Sequence, residues 1–164
     1  MAKKAHLSNF ISKGQVAVNR RARFDYEIKE TFVAGLVLTG TEVKSMRLGH
    51  AQINEAYGVE KDGEIYISQM FVAEYALKGY ETHVEKRDRK LLLTKKEVIK
   101  IINALHKKGV TLVAIKLFFD EHGRAKLEVG LGCGKKLYDK RESIKERDWE
   151  RQKQQLKGSI KKYL

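Results

Sequence analysis

VAIKLFFDEHGRAKLEVGL, Val113 to Leu131, decides the fold. Val113, Ile115, Leu117 and Phe119 alternate with their neighbours and are expected to share one face of a strand. Asp120 to Gly123 holds turn residues. Leu127, Val129 and Leu131 then answer the first set, while Lys126, Glu128 and Gly130 face the other way. The stretch therefore predicts an antiparallel hairpin with one apolar side.

The same logic extends toward the N-terminus. Phe24, Tyr26 and Ile28 alternate with Asp25, Glu27 and Lys29, which predicts a strand running on to Val33. Gly35-Leu36-Val37-Leu38 is apolar on successive positions and is expected to be covered on both faces. Thr41 could cap a short helix over Glu42 to Leu48, closed by Gly49. Ile53–Glu60 and Glu64–Met70 predict a second hairpin across Lys61-Asp62-Gly63. Residues 71–90 form a long connection with a basic end, KRDRK at Lys86–Lys90. Thr94 with Glu97 fits a capping box, and Val98, Ile101, Ile102 and Leu105 make one apolar helix face ending at Gly109. About five to seven antiparallel strands with inserted helices suggest a mainly β protein. A small closed barrel resembling the oligonucleotide-binding fold fits this length.

The 164 residues hold a net charge of +13, one cysteine and no proline. Residues 1–23 carry +6, residues 134–164 carry +6, and the 110 residues between them carry only +1. A near-neutral body with two cationic ends suits a polyanion. The expected organisation is a flexible basic arm over 1–18, an RNA-binding body over 19–133 and a basic tail over 134–164.

The tail opens on GCGKKLYDKRESIKER, Gly132 to Arg147. Ser143 with Glu146 reads as a capping box, and Glu142–Lys145, Asp148–Arg151 and Glu150–Lys153 are spaced for ion pairs. Trp149, Leu156, Ile160 and Tyr163 or Leu164 fall on one narrow stripe, too thin to dock firmly. The tail is therefore expected to be disordered when free and helical only on a partner. Tyr138, between Lys136 and Lys140, is a candidate stacking ring; the alternative is that it packs back on the body.

Enzyme signatures are missing from the sequence. His6, His50, His83, His106 and His122 lack metal-ligand spacing, and Cys133 alone cannot build a thiolate zinc site. GLGCG at Gly130–Gly134 ends a strand without opening a βαβ unit, so a dinucleotide loop is not expected. No metal, cofactor or catalysis is expected. A lone cysteine suits a reducing cytosol, no apolar run approaches the ~20 residues of a membrane span, and the basic N-terminus lacks the apolar core of a signal peptide. A cytoplasmic protein without membrane contact is expected. Cations beside amide or apolar groups mark RNA contacts: Arg20, Arg21 and Arg23 around Asn19; Lys86, Arg87, Arg89 and Lys90 before Leu92; Lys135 and Lys136.

GKKLYDKRESIKERD (Gly134–Asp148), TGTEVKSMR (Thr39–Arg47), NRRARFDY (Asn19–Tyr26) and RKLLL (Arg89–Leu93) together resemble the small protein B family, the SsrA-binding proteins of bacteria. That resemblance implies binding of transfer-messenger RNA and its delivery to stalled ribosomes for trans-translation. It implies a barrel that grips the tRNA-like domain in place of the anticodon stem, and a tail helix in the empty message channel of the small subunit. Elongation factor Tu and alanyl-tRNA synthetase would be partners only through the RNA. By position, Asn19, Lys44, Arg89, Lys90 and Leu92 would face RNA, with Arg21, Lys135 and Lys136 nearby. Tyr138, Asp139, Lys140, Arg141 and Leu156 would serve in the decoding centre and channel. Val33 departs from a common glutamate, His83-Val84-Glu85 from a usual proline-bearing loop, and Cys133 from a residue that is often basic. The alternative is a general single-strand RNA-binding translation factor.

Overall fold

The computed structural model describes residues 10–75 and 82–160, and among these all side chains but those of 138 and 157–160. Residues 1–9 of the expected arm, and Tyr163 and Leu164 of the tail stripe, lie outside the described residues. In chain order the elements are β1 (Gly14–Val18), α1 (Ala22–Asp25), β2 (Tyr26–Leu36), α2 (Gly40–Arg47), β3 (Ala51–Gln52), β4 (Tyr57–Lys61) and β5 (Glu64–Ser68). Then come β6 (Phe71–Val72), β7 (Arg89–Leu92), α3 (Lys95–Leu105), β8 (Val110–Phe119), β9 (Ala125–Gly134) and α4 (Leu137–Ile160). The protein is thus mainly β-sheet with a few helices.

The quoted hairpin forms, with Leu112 opposite Leu131 and Leu117 opposite Leu127. One large sheet runs in the order β1-β8-β4-β5-β7-β2-β9, and β9 pairs again with β8. The pairings from β8 through β9 therefore return to their start, leaving β1 attached outside that circuit. Every pairing in this sheet is antiparallel. Ile65, Ile67, Leu91, Leu112, Leu117, Leu127 and Val129 fill its inner side together with Met46, Met70 and Ile101 from other elements. Burial of each such large aliphatic side chain contributes about 1.5–3 kcal/mol.

Two expectations change, the first because the register of the long strands is irregular. The register slips between Ala114 and Lys116, and on β2 between Ile28 and Glu30. A bulge flips the parity of the strand residues beyond it. Leu117 and Phe119 therefore enter the main core, whereas Val113 and Ile115 pack with Ala22, Tyr26 and Ile28 in a separate small cluster. The four residues do not share one face. Phe24 is likewise not a strand residue, because a single helical turn, α1, occupies 22–25 and β2 starts only at Tyr26.

Residues 14–18 also leave the expected arm. They pair with Lys116–Phe119 as an edge strand, a long-range partner that local periodicity does not reveal. The second hairpin turns at Asp62 and Gly63, with φ of 52° and 73°, the left-handed pair that the Asp-Gly sequence favours. Gly58 is required by close approach, since a Cβ there would lie 2.3 Å from Leu112 Cδ2.

Of the three expected N-terminal caps, one holds, one shifts and one is absent. Thr94 starts α3, its N–H donating to Glu97 Oε2 at 2.9 Å. For α2 the cap is Thr39 rather than Thr41: its N–H donates to Glu42 Oε2 at 2.8 Å. Thr41 instead meets His83 Nδ1 at 2.9 Å. In α4 the predicted capping box is absent, because Ser143 lies inside the helix and its hydroxyl donates to the Asp139 carbonyl at 3.0 Å. Of the three expected ion pairs, Asp148–Arg151 forms at 3.9 Å, while Lys153 sits over the Trp149 ring, 5.3 Å from its centroid.

Candidate nucleic-acid interface

Glu42 organises one face. It is buried in the first turn of α2 and receives both arginines that flank Asp88. Arg87 Nε and Nη2 donate to its two oxygens at 2.8 and 2.7 Å. Arg89 Nε donates to Oε1 at 2.9 Å. Burial by itself would push this carboxyl up, but the Arg87 hydrogen bonds, the Thr39 N–H and the two guanidinium charges outweigh it. They hold the Glu42 carboxyl below its ordinary value of 4.5. The arrangement clamps the start of α2 to β7, and so fixes Lys44 relative to Lys90 and Leu92.

Arg89, expected on an RNA-facing side, has a side chain that is 0% exposed and held inside the protein. Besides Glu42 it donates to the carbonyls of Met70 at 2.6 Å, Arg87 at 3.1 Å and Glu85 at 3.1 Å. A guanidinium with its donors filled by protein has none to offer a phosphate. Asn19 is also committed: its amide donates to Ala114 O at 3.1 Å and Asn54 O at 3.4 Å, and its oxygen accepts from Arg21 N at 3.2 Å. It pins the turn into α1 that holds Arg21 at the surface.

The remaining residues do reach solvent. Lys44 is exposed, its ammonium 5.7 Å from the centre of the Tyr75 ring. Lys90 is half-buried and bonded to Glu64 Oε1 at 2.5 Å, and that hydrogen bond raises its pKa from the usual value. Leu92 is 52% exposed and lies across Gly35, with Val33 at 54% on the same long strand β2 as that glycine. The face thus offers cations beside apolar side chains, which can hold phosphates while resting on sugar or base faces. Val33, opposite Glu128, adds apolar surface.

A second group gathers around α1. Arg21 Nε lies 3.7 Å from one oxygen of Asp25, and Lys140 Nζ lies 3.3 Å from the other. The Lys135 N–H donates to the Asp25 carbonyl at 2.9 Å. Lys136 and Arg141 are exposed and Asp139 is half-buried. Further along α4, Trp149 and Leu156 are 60% and 64% exposed. The Tyr138 side chain lies outside the described residues.

The sequence therefore pointed to two clusters without separating them, and left Glu42, Phe24 and Asp25 out of both. Glu42 left a trace in its cap spacing after Thr39. Arg21 is a local partner of Asp25, but the contacts of Phe24 and Asp25 with Lys135, Lys140 and Arg147 left no local signal, because those residues are more than a hundred positions away. Among the described residues no group of three or more metal-ligating side chains comes together, and no helix is long and apolar enough to cross a membrane.

The SmpB protein family profile matches residues 16–159. An SsrA-binding protein of Sinorhizobium fredii is 52% identical over 141 residues, covering 86% of this chain and 89% of the relative. One from Afipia carboxidovorans is 50% identical over 86% of this chain and 90% of its own. Among solved structures, a chain from the work titled "tmRNA-SmpB: a journey to the center of the bacterial ribosome" superposes with a TM-score of 0.64. It is 42% identical, and the match covers 77% of this chain and 92% of that one.

Proposed function

The chain belongs to the SmpB family of SsrA-binding proteins, and from that premise we propose that it binds transfer-messenger RNA and carries it to stalled ribosomes for trans-translation. The observation that carries this reading is the structural neighbour at 42% identity, a tmRNA-SmpB chain of the bacterial ribosome. The closed circuit of pairings supports the oligonucleotide-binding barrel. Its face around Lys44, Lys90 and Leu92 would hold the tRNA-like domain, with the body standing in for the absent anticodon stem. Arg89 and Asn19 would act from beneath, by positioning.

The tail would enter the message channel. Lys135, Lys136, Asp139, Lys140 and Arg141 lead toward Trp149 and Leu156, which stay exposed in this structure. Such a helix is poorly stabilised in water and gains a wall inside a ribosomal channel. The sequence expects the whole tail to be disordered when free, whereas α4 is helical over Leu137–Ile160; we propose that only the part beyond Arg147 loosens in free solution and is helical on the ribosome. Elongation factor Tu and alanyl-tRNA synthetase would join through the RNA, with no catalysis by this chain and in the cytoplasm.

A reconstituted tagging assay tests the division of labour. A D139A/K140A/R141A variant should bind transfer-messenger RNA within twofold of wild type and fail to tag stalled chains. Lost RNA affinity with normal tagging would overturn it.

A further inference from the structure

We propose that Phe24 and Asp25 form a seat on the body that fixes the direction in which α4 leaves it. The inference rests on reading α4 as the segment that enters the channel, and concerns how that segment is held beforehand. Phe24 offers a ring and Asp25 a carboxylate and a carbonyl, all within the single turn of α1. Lys140 Nζ lies 5.9 Å from the Phe24 ring centre, and the Arg147 guanidinium 4.7 Å from it. Residues seven apart fall on one side of a helix, two turns from each other. One ring touching both therefore restricts the rotation and the tilt of α4 together.

Asp25 adds the anchor at the root. Its carboxylate holds Lys140 Nζ at 3.3 Å, and its carbonyl takes the Lys135 N–H at 2.9 Å, just before the helix begins. The other carboxylate oxygen faces Arg21 Nε at 3.7 Å. One carboxylate thus joins Arg21, an arginine expected at RNA, to Lys140, the middle residue of the tripeptide Asp139-Lys140-Arg141. Arg141, the next residue, faces solvent. The tripeptide is accordingly split: Lys140 is held by the body and Arg141 is presented outward. A helix root already aimed spends less orientational freedom on entering a channel. The contacts are partly solvated ion pairs and cation–π contacts, weak enough for ribosomal phosphates to displace.

The test uses the full chain in a Cys133→Ser background, with spin labels at E121C and E146C. Wild type should give a narrow distance distribution by pulsed dipolar spectroscopy. A D25N/F24L variant keeps the apolar bulk and removes the carboxylate charge and the ring. It should broaden the distribution at least about twofold, bind transfer-messenger RNA within twofold, and lower tagging roughly three- to tenfold. F24Y, which keeps the ring, should retain both the narrow distribution and tagging. An unchanged distribution in D25N/F24L overturns the seat, as does a loosened tail with full tagging. If D139A/K140A/R141A also tags normally, the reading of the tail falls and the seat with it. If that variant fails while D25N/F24L tags fully, the seat alone is overturned.

Discussion

A buried carboxylate shared by two guanidiniums is safe only while all three are present. Removing Arg89 leaves Glu42 charged and poorly compensated in the interior, so Arg89→Ala should cost about 3–5 kcal/mol in a denaturant titration. Arg87→Ala should cost less, because its side chain is 30% exposed and the Arg89–Glu42 pair survives. Equal losses would deny Arg89 its special place. The same node sets an acid limit. The Glu42 carboxyl titrates lower in the folded chain than its unfolded value near 4.5, so its contribution is complete above that value. It is lost as pH falls below 4.5 toward the folded pKa. Thermal melts should show this acid loss in wild type, and a folded Glu42→Gln variant should show less of it. At Gly58 the limit is steric. Ala would put a carbon against Leu112 and should destabilise by about 1–3 kcal/mol without altering RNA contacts.

At the level of elements, the hairpins and α3 were legible because their signals are local. Asp-Gly needs positive φ, and Thr94 with Glu97 closes a cap within one turn. Thr94→Ala should therefore cost about 1 kcal/mol by chemical denaturation, and a neutral outcome would mean that packing of Ile101 alone holds α3. Elements that depend on distant partners were not legible. β1 needs Lys116–Phe119 to become a strand. The bulge at Ile115 redirects Val113 and Ile115 outward to meet α1, a pairing that alternation alone assigns to the main core. Arg89 illustrates the same limit in the interface. Its basic neighbours mark a surface run, but Glu42 lies 47 residues away and draws it inside. Lys44 and Leu92 are exposed and Lys90 is half-buried, so their side chains do reach the surface.

For the molecule as a whole, the +13 charge predicts RNA binding that weakens steeply with salt. The cationic and apolar parts of the face should separate in that measurement. Lys44→Ala or Lys90→Ala should flatten the slope of log affinity against log salt by about 0.7–0.9, one released counterion. Leu92→Ala should lower affinity and leave the slope unchanged. A slope change for Leu92, or none for the lysines, would separate this face from RNA. The central claim is that the body recognises a folded tRNA-like domain and not RNA in general. Competition for the full chain between that domain of transfer-messenger RNA and an unstructured RNA of equal length, at physiological salt, tests it most directly. The account predicts that the folded domain displaces the unstructured RNA at a concentration at least tenfold lower than the reverse; equal competition by the two would contradict it.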